Sequence, residues 1–183
     1  MARKLRKYQM ARSLIFHVVN RGILKQDIFH DDYDFLEFIG IVHRYIKKEN
    51  IEIYHWCIMG NHYHIVMGLK QPERLSKIAA GWQHIYARKY HNKYDPAGRL
   101  FQGRFKSQAI EKENYLLACG RYVEQNPVRA KICNHAWPWQ WSSARFYIYS
   151  KKDRLTTHYP CWKGMDAKSY KQFLEKAKDE KNI

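Results

Sequence analysis

The stretch IEIYHWCIMGNHYHIVM, residues 51–67, contains the pattern that decides the fold. It consists of two apolar runs, residues 51–59 and 62–67, separated by the pair Gly60-Asn61. A glycine beside an asparagine tolerates the positive φ values that tight turns require, so the pattern predicts a β-hairpin.

Helical periodicity flanks this hairpin on both sides. Residues 31–48 begin with two aspartates that can cap a helix, and their apolar side chains recur at spacings of three and four. Residues 73–94 show the same spacing and stop at Pro96-Ala97-Gly98. The sequence therefore predicts one long helix before the hairpin and one after it.

Two further strands and a third helix complete the pattern. Residues 13–20 are β-branched and aromatic, and residues 100–110 alternate partly around Phe101 and Phe105, so both segments are predicted strands. Residues 113–125 predict a helix that ends near Pro127, because the residue before a proline is disfavoured in helical conformation.

The resulting order of elements predicts the fold class. Strand, helix, strand, strand, helix, strand, helix is the split βαββαβ pattern of an α+β protein. We expect a ferredoxin-like βαββαβ sandwich with a central antiparallel sheet, plus an added C-terminal helical segment at residues 142–150. The chain has 183 residues, a length that fits one domain, predicted over residues 1–150, with a polar, lysine-rich tail at 151–183.

Charge indicates the class of partner. Lys and Arg total 33 against 17 Asp and Glu, which gives a net charge of +16. Binding to a polyphosphate backbone requires that much positive charge, whereas binding to acidic proteins or simple metabolites rarely does. With 45% hydrophobic residues the chain is a folded basic domain and not a basic disordered tail.

The sequence also predicts where the protein acts. Its apolar runs are too short for a membrane span, and no secretory signal follows the basic N-terminus. We therefore expect no membrane partner and a cytoplasmic location, at the bacterial nucleoid.

His62 and His64 form the sharpest local feature. Side chains on a strand alternate between faces, so the two imidazoles project from the same face and can share a metal ion. Two polar residues on a solvated face are the plainer interpretation of the same pattern.

The third predicted helix carries a second feature. Tyr122 and Asn126 lie one turn apart on one face and can address the same point in space, although most tyrosines only pack. A tyrosine can attack a phosphodiester and store its energy as a phosphotyrosine bond. A divalent cation held by the two histidines and a third oxygen ligand would withdraw charge from that phosphate, so the two features complement each other.

Three strings in this order resemble the single-tyrosine HUH transposases, and among them the REP-associated tyrosine transposases. They are CIMGNHYHIV at 57–66, RLFQGRFKS at 99–107 and RYVEQNPVRA at 121–130. The resemblance implies a ferredoxin-like catalytic domain that cleaves and transfers single-stranded DNA through a covalent 5′-phosphotyrosine intermediate. It assigns Tyr122 as the nucleophile and His62, His64 and Asn126 as ligands of Mg²⁺ or Mn²⁺. Asn126 stands where insertion-sequence relatives commonly have glutamine.

Other assignments stay open from the sequence. Tyr115, seven residues before Tyr122 and on nearly the same face, is the rival nucleophile, but it lacks the Asn-Pro-Val-Arg context. Two imidazoles and an amide oxygen also suit transition metals, so a structural zinc is the alternative to a catalytic ion.

Basic side chains near these strings are the predicted DNA contacts. Some surround the predicted fourth strand or follow the third helix, and others form a basic arm at residues 1–12. They are Arg21, Arg99, Arg104, Lys106, Arg129, Arg3, Lys4 and Arg6.

The resemblance further implies a substrate, the hairpin DNA of repetitive extragenic palindromes with its adjoining single strand. A catalytically silent protein that binds DNA or RNA hairpins for regulation is the alternative function, and a nicking initiator of replication is a third. The related proteins leave both a monomer and a homodimer open.

Overall fold

The computed structural model describes residues 14–111, 113–157 and 165–176. Its strands are β1 (Ile15–Arg21), β2 (Glu52–Met59), β3 (His62–Gly68) and β4 (Lys106–Ile110). Its α-helices are α1 (Asp32–Glu49), α2 (Leu75–Tyr94), α3 (Glu113–Glu124), α4 (Asn126–Arg129), α5 (Ala144–Tyr149) and α6 (Ala167–Glu175).

The four strands form one antiparallel sheet in the order β2-β3-β1-β4. The predicted hairpin is confirmed, since Met59 pairs with His62, but neither Gly60 nor Asn61 has the positive φ expected of the turn. Together with the helices, this sheet confirms the predicted α+β sandwich.

The long helices α1 and α2 cover one face of the sheet. Helix α1 begins where the Asp31 carboxylate accepts a hydrogen bond from the Asp34 amide at 3.0 Å, as the capping pattern predicts. Buried residues from both helices pack with Phe16, Tyr63 and Met67 of the sheet to form the main core. This core leaves the opposite face of the sheet to carry the site.

Helix α3 covers only part of that opposite face. Its buried residues Leu116 and Val123 pack against Cys57, Met59 and Val66 of the hairpin. The remainder of this face, on β3, β1 and β4, lines a cleft. Because α3 is also the helix of Tyr122, its docking brings the tyrosine to the edge of this cleft.

One predicted element is wrong in its first half. The fourth strand begins at Lys106, and residues 100–105 form a loop instead. Leu100, Phe101 and Phe105 are buried because the loop inserts them into the core, and Phe101 makes only an isolated bridge to Gly22. Apolar alternation in this segment therefore reflects anchoring of a loop and not a strand.

The C-terminal part adds the one predicted helix and a second helix, α6, that was not predicted within the tail. Helix α5 matches the helical segment expected at 142–150. Tyr170 and Leu174 of α6 are buried in a small core with Ala144 and Ile148 of α5. The basic arm at residues 1–12 lies outside the described residues.

Within residues 14–111, 113–157 and 165–176, no helix has both the length and the apolar character needed to cross a membrane.

Candidate active site

The residues predicted to act together line one cleft of about 730 Å³. Strand β3 contributes His62 and His64, and the helical segment opposite contributes Tyr122 and Asn126. Strand β1 adds His17, which the sequence did not indicate as a site residue. The cleft therefore joins the two local features of the sequence in one place.

The two histidines of β3 lie close together on the same face. Their ring centroids are 5.1 Å apart. The Nδ1 atom of His62 lies 2.5 Å from Oδ1 of Asn61, and Nδ1 of His64 lies 2.8 Å from Nε2 of His17. Each imidazole is thus oriented through Nδ1, an arrangement that leaves Nε2 to bind a metal in many metal sites.

Burial keeps these imidazoles neutral. Desolvation lowers the pKa of His64 well below its usual value, and its histidine neighbours lower it further. Desolvation also lowers the pKa of His62, where Arg21 adds to the effect and a hydrogen bond with Asn126 opposes it. The pKa of His17 falls to about 4 for the same reason of burial. Neutral imidazole is the form that binds metals, so the cluster is ready to bind one at neutral pH.

Tyr122 lies beside these imidazoles. Its ring centroid is 5.8 Å from that of His64 and 6.2 Å from that of His17. The guanidinium carbon of Arg129 lies 4.9 Å from the Tyr122 ring centroid. By contrast, the rival Tyr115 is 58% exposed and is not among the residues that line the cleft.

Asn126 keeps its place next to the histidines through its own helix. Its Nδ2 donates to the carbonyls of Tyr122 at 3.0 Å and Val123 at 3.1 Å. With both amide hydrogens directed to carbonyls, Oδ1 is the Asn126 atom left to bind a cation beside the His62 ring. Gln125 stays helical between α3 and α4, so Tyr122 and Asn126 remain one turn apart.

The donor set fits a divalent cation. Among the described residues no group of three or more His, Cys, Asp or Glu side chains is arranged to hold a metal. The set in the cleft is instead two neutral imidazoles and one amide oxygen, which suits Mn²⁺ and, with added water and phosphate oxygens, Mg²⁺. A cation would be held by the Nε2 lone pairs of the two imidazoles and by Oδ1 of Asn126.

A buried polar network fixes the position of α3. The Glu124 carboxylate, fully buried, lies 2.9 Å from Nδ1 of His55 and accepts hydrogen bonds from the Ser143 hydroxyl at 2.6 Å and the Tyr170 hydroxyl at 2.5 Å. These partners come from β2, the residue before α5, and α6. These hydrogen bonds compensate the carboxylate for its loss of hydration, and they hold α3 in one position against the rest of the fold.

Gly120 allows α3 to approach His55. A Cβ atom at Gly120 would lie 2.5 Å from Cδ2 and 2.6 Å from Cε1 of the His55 ring, far inside van der Waals contact. The ring is fully buried and cannot turn away. Neither this contact nor the Glu124 network was predicted from the sequence.

The predicted DNA-contacting residues divide into three groups. Arg21, Arg104 and Lys106 line the cleft, and Arg129 lies over the tyrosine ring. Arg99 does not line the cleft but a second groove, which Arg104 also lines. The arm residues Arg3, Lys4 and Arg6 lie outside the described residues.

Two polar residues of β1, His17 and Asn20, belong to the cleft and were missed. The signal that could have found His17 is its place in the strand sequence IFHVVNR, where a histidine interrupts an apolar run. Its pairing with His64, however, depends on a strand register that the sequence does not reveal.

Comparison with known proteins assigns the family. The family model described as transposase IS200-like matches residues 10–126, so the chain belongs to this family. The comparison with curated proteins found no match.

Two solved structures are similar in fold. A REP-associated tyrosine transposase bound to a REP hairpin is 13% identical with a TM-score of 0.60, over 81% of this chain and 87% of its own. A transposase-like protein from Deinococcus radiodurans R1 is 13% identical with a TM-score of 0.46, over 62% of this chain and 90% of its own. At these identities the first likeness supports the fold alone.

Proposed function

We propose that this transposase is a metal-dependent single-stranded DNA endonuclease and strand transferase that uses Tyr122 as its nucleophile. The observation that carries the proposal is the meeting of Tyr122 with the neutral histidine pair and Asn126 in one basic cleft. Family membership supplies the general activity, and the cleft supplies the residues for it.

The chemistry follows from what each residue contributes. The Tyr122 oxygen attacks the scissile phosphorus and loses its proton, the bond from phosphorus to the 3′ oxygen breaks, and that oxygen takes up a proton. The products are a 5′-phosphotyrosine and a free 3′-hydroxyl, and attack by another 3′-hydroxyl on the phosphotyrosine reverses the step. Bound Mg²⁺ or Mn²⁺ would supply charge neutralisation at the phosphate and orient it.

The protein's own cations assist the tyrosine. Arg129 lies over the ring of Tyr122, where its positive charge favours the negative charge that develops on the phenolic oxygen. Arg21, Arg104 and Lys106 on the cleft wall would hold the DNA backbone on either side of the reacting phosphate.

The proposed substrate is a hairpin of a repetitive extragenic palindrome, met in the cytoplasm at the nucleoid. Support comes from the similar transposase, whose structure is bound to a REP hairpin, and from the net charge of +16. Single-stranded DNA next to such a hairpin would leave the phosphate accessible to a tyrosine in an open cleft.

The test is covalent capture of a labelled hairpin oligonucleotide. Wild-type protein with Mg²⁺ or Mn²⁺ should give a shifted band on a denaturing gel, and chelation with EDTA should abolish it. Tyr122→Phe should bind the DNA with nearly unchanged affinity and give no band, whereas Tyr115→Phe serves as the matched control and should keep it. Salt-sensitive binding without a band under either metal would instead identify a hairpin-binding regulatory protein.

A further inference from the structure

A second groove, of about 670 Å³, lies beside the catalytic cleft. One wall is a stripe along α2 at spacings of three and four residues, and the other is the loop that precedes β4. The stripe consists of Ser76, Ala80, Gln83, His84, Ala87 and His91. These side chains are small or polar, so they leave room in the groove.

The facing wall is basic, and the floor is apolar. Arg99 and Arg104 belong to this loop, as do Phe101 and Phe105, which line the groove although they are largely buried in the core. None of the described residues that line this groove is acidic. Cations next to apolar groups suit a chain of alternating phosphates and bases.

His91 adds to the positive character of the groove. Its Nδ1 lies 2.6 Å from the carbonyl of Ala87 and its Nε2 lies 2.9 Å from the carbonyl of Gly98. Both carbonyls favour a ring that donates from both nitrogens, and they raise the pKa of His91.

The groove is continuous with the cleft. Gly103 and Arg104 line both. Asn20, which lines the cleft, also connects the two sites. Its Nδ2 donates to Oε1 of Gln83, which lines the groove, at 2.9 Å and to the carbonyl of Gly103 at 3.0 Å. A Cβ at Gly103 would meet no atom within 4 Å, so the space beside this shared residue is open.

We propose that this groove is a second binding site for single-stranded DNA, occupied by the strand that continues from the phosphate in the cleft. The proposal rests on the proposed function, because the cleft must hold DNA for the strand to continue. The stripe from Ser76 to His91 spans about 22 Å at about 1.5 Å per residue, which is room for several nucleotides. A peptide or protein segment is the rival occupant, and a length series of DNA separates the two.

The test measures how affinity depends on the length of single strand beside the hairpin. Hairpins with extensions of zero, two, four, six or eight nucleotides at the 5′ or the 3′ end are titrated by fluorescence anisotropy. At one end, extension should tighten binding about tenfold, and the gain should reach a plateau when the groove is full.

The test variants introduce a negative charge on the α2 wall. Ala80→Glu and His84→Glu place a carboxylate in the groove and should reduce the gain to about threefold or less. Asn92→Glu, an exposed position of the same helix outside the groove, should keep the full gain. Thermal unfolding of each variant confirms that all three fold.

The outcomes separate the groove from the cleft. An equal affinity for all extensions, or a full gain in both groove variants, would overturn the groove assignment. Adduct formation is measured in the same samples on the shortest extended hairpin that gives an adduct with the wild-type protein, and its rate at saturating protein should be unchanged in all variants. A length-dependent gain without any adduct in the wild-type protein would support the groove and overturn the nuclease.

Discussion

Gly120→Ala is the most informative single change for the account of the site. The new methyl group would lie 2.5 Å from Cδ2 and 2.6 Å from Cε1 of His55. Ordinary contacts between such atoms need about 3.5 Å, so α3 or the ring must move by about 1 Å. His55 is fully buried and held by Glu124 at 2.9 Å, so the helix is the part expected to shift.

The magnitudes differ for stability and for activity. Overpacking of this kind costs about 1–3 kcal/mol, and the better helix propensity of alanine offsets about 1 kcal/mol. At about 2–4 °C per kcal/mol, the melting temperature should fall by a few degrees. A displacement of about 1 Å at a reacting atom can lower a rate about 100-fold, and Tyr122 shares the shifted helix.

The assay compares adduct formation and thermal unfolding in matched variants. Gly40→Ala is the control, because a Cβ at this helical glycine meets no atom within 4 Å. Gly40→Ala should keep the adduct rate and gain stability, whereas Gly120→Ala should lose far more rate than its stability change explains. A Gly120→Ala protein with the wild-type adduct rate would refute the claim that this contact positions the tyrosine.

Other predictions follow from the same geometry. Glu124→Gln should lower the free energy of unfolding by about 1–3 kcal/mol in urea titrations, and an unchanged value would show that the buried network is not stabilising. His64→Ala should weaken Mn²⁺ binding about 100-fold by calorimetry; equal affinity would remove His64 from the metal site. Burial lowers the pKa of His17 from 6.5 to about 4, so the unfolded chain takes up a proton at a higher pH than the folded chain does. The free energy of unfolding, measured in EDTA, should therefore fall as the pH drops from 6.5 towards 4. Equal free energies of unfolding at pH 7.5 and 5 would contradict this. Lys106→Ala should reduce the slope of log affinity against log salt by about 0.7, and an unchanged slope would mean that it contacts no phosphate.

The parts of the site that the sequence predicted depend on short spacings. His62 and His64 are two apart on a strand, and Tyr122 and Asn126 are four apart on a helix. Such pairs share a face whatever the rest of the fold does. The hairpin was predictable because two apolar runs flank a short break at Gly60-Asn61, although neither residue adopts the positive φ expected there.

The missed parts depend on long-range contacts. His17 meets His64 across 47 residues, and His55 meets Glu124 across 69. Local sequence patterns do not reveal which residues of β1 and β3 pair with each other, and they do not reveal where α3 packs on the sheet. Phe101 misled the strand prediction because a loop residue anchored in the core and a strand residue facing it give the same apolar signal.

Peptide mapping of the covalent adduct tests the central claim most directly. The wild-type protein is incubated with the hairpin oligonucleotide and Mn²⁺, digested with nuclease and trypsin, and sequenced by mass spectrometry. We expect a nucleotide phosphate on the tyrosine of the peptide YVEQNPVR, which carries Tyr122. A modification on the peptide of Tyr115, or an active cleavage with no modified tyrosine, would contradict it.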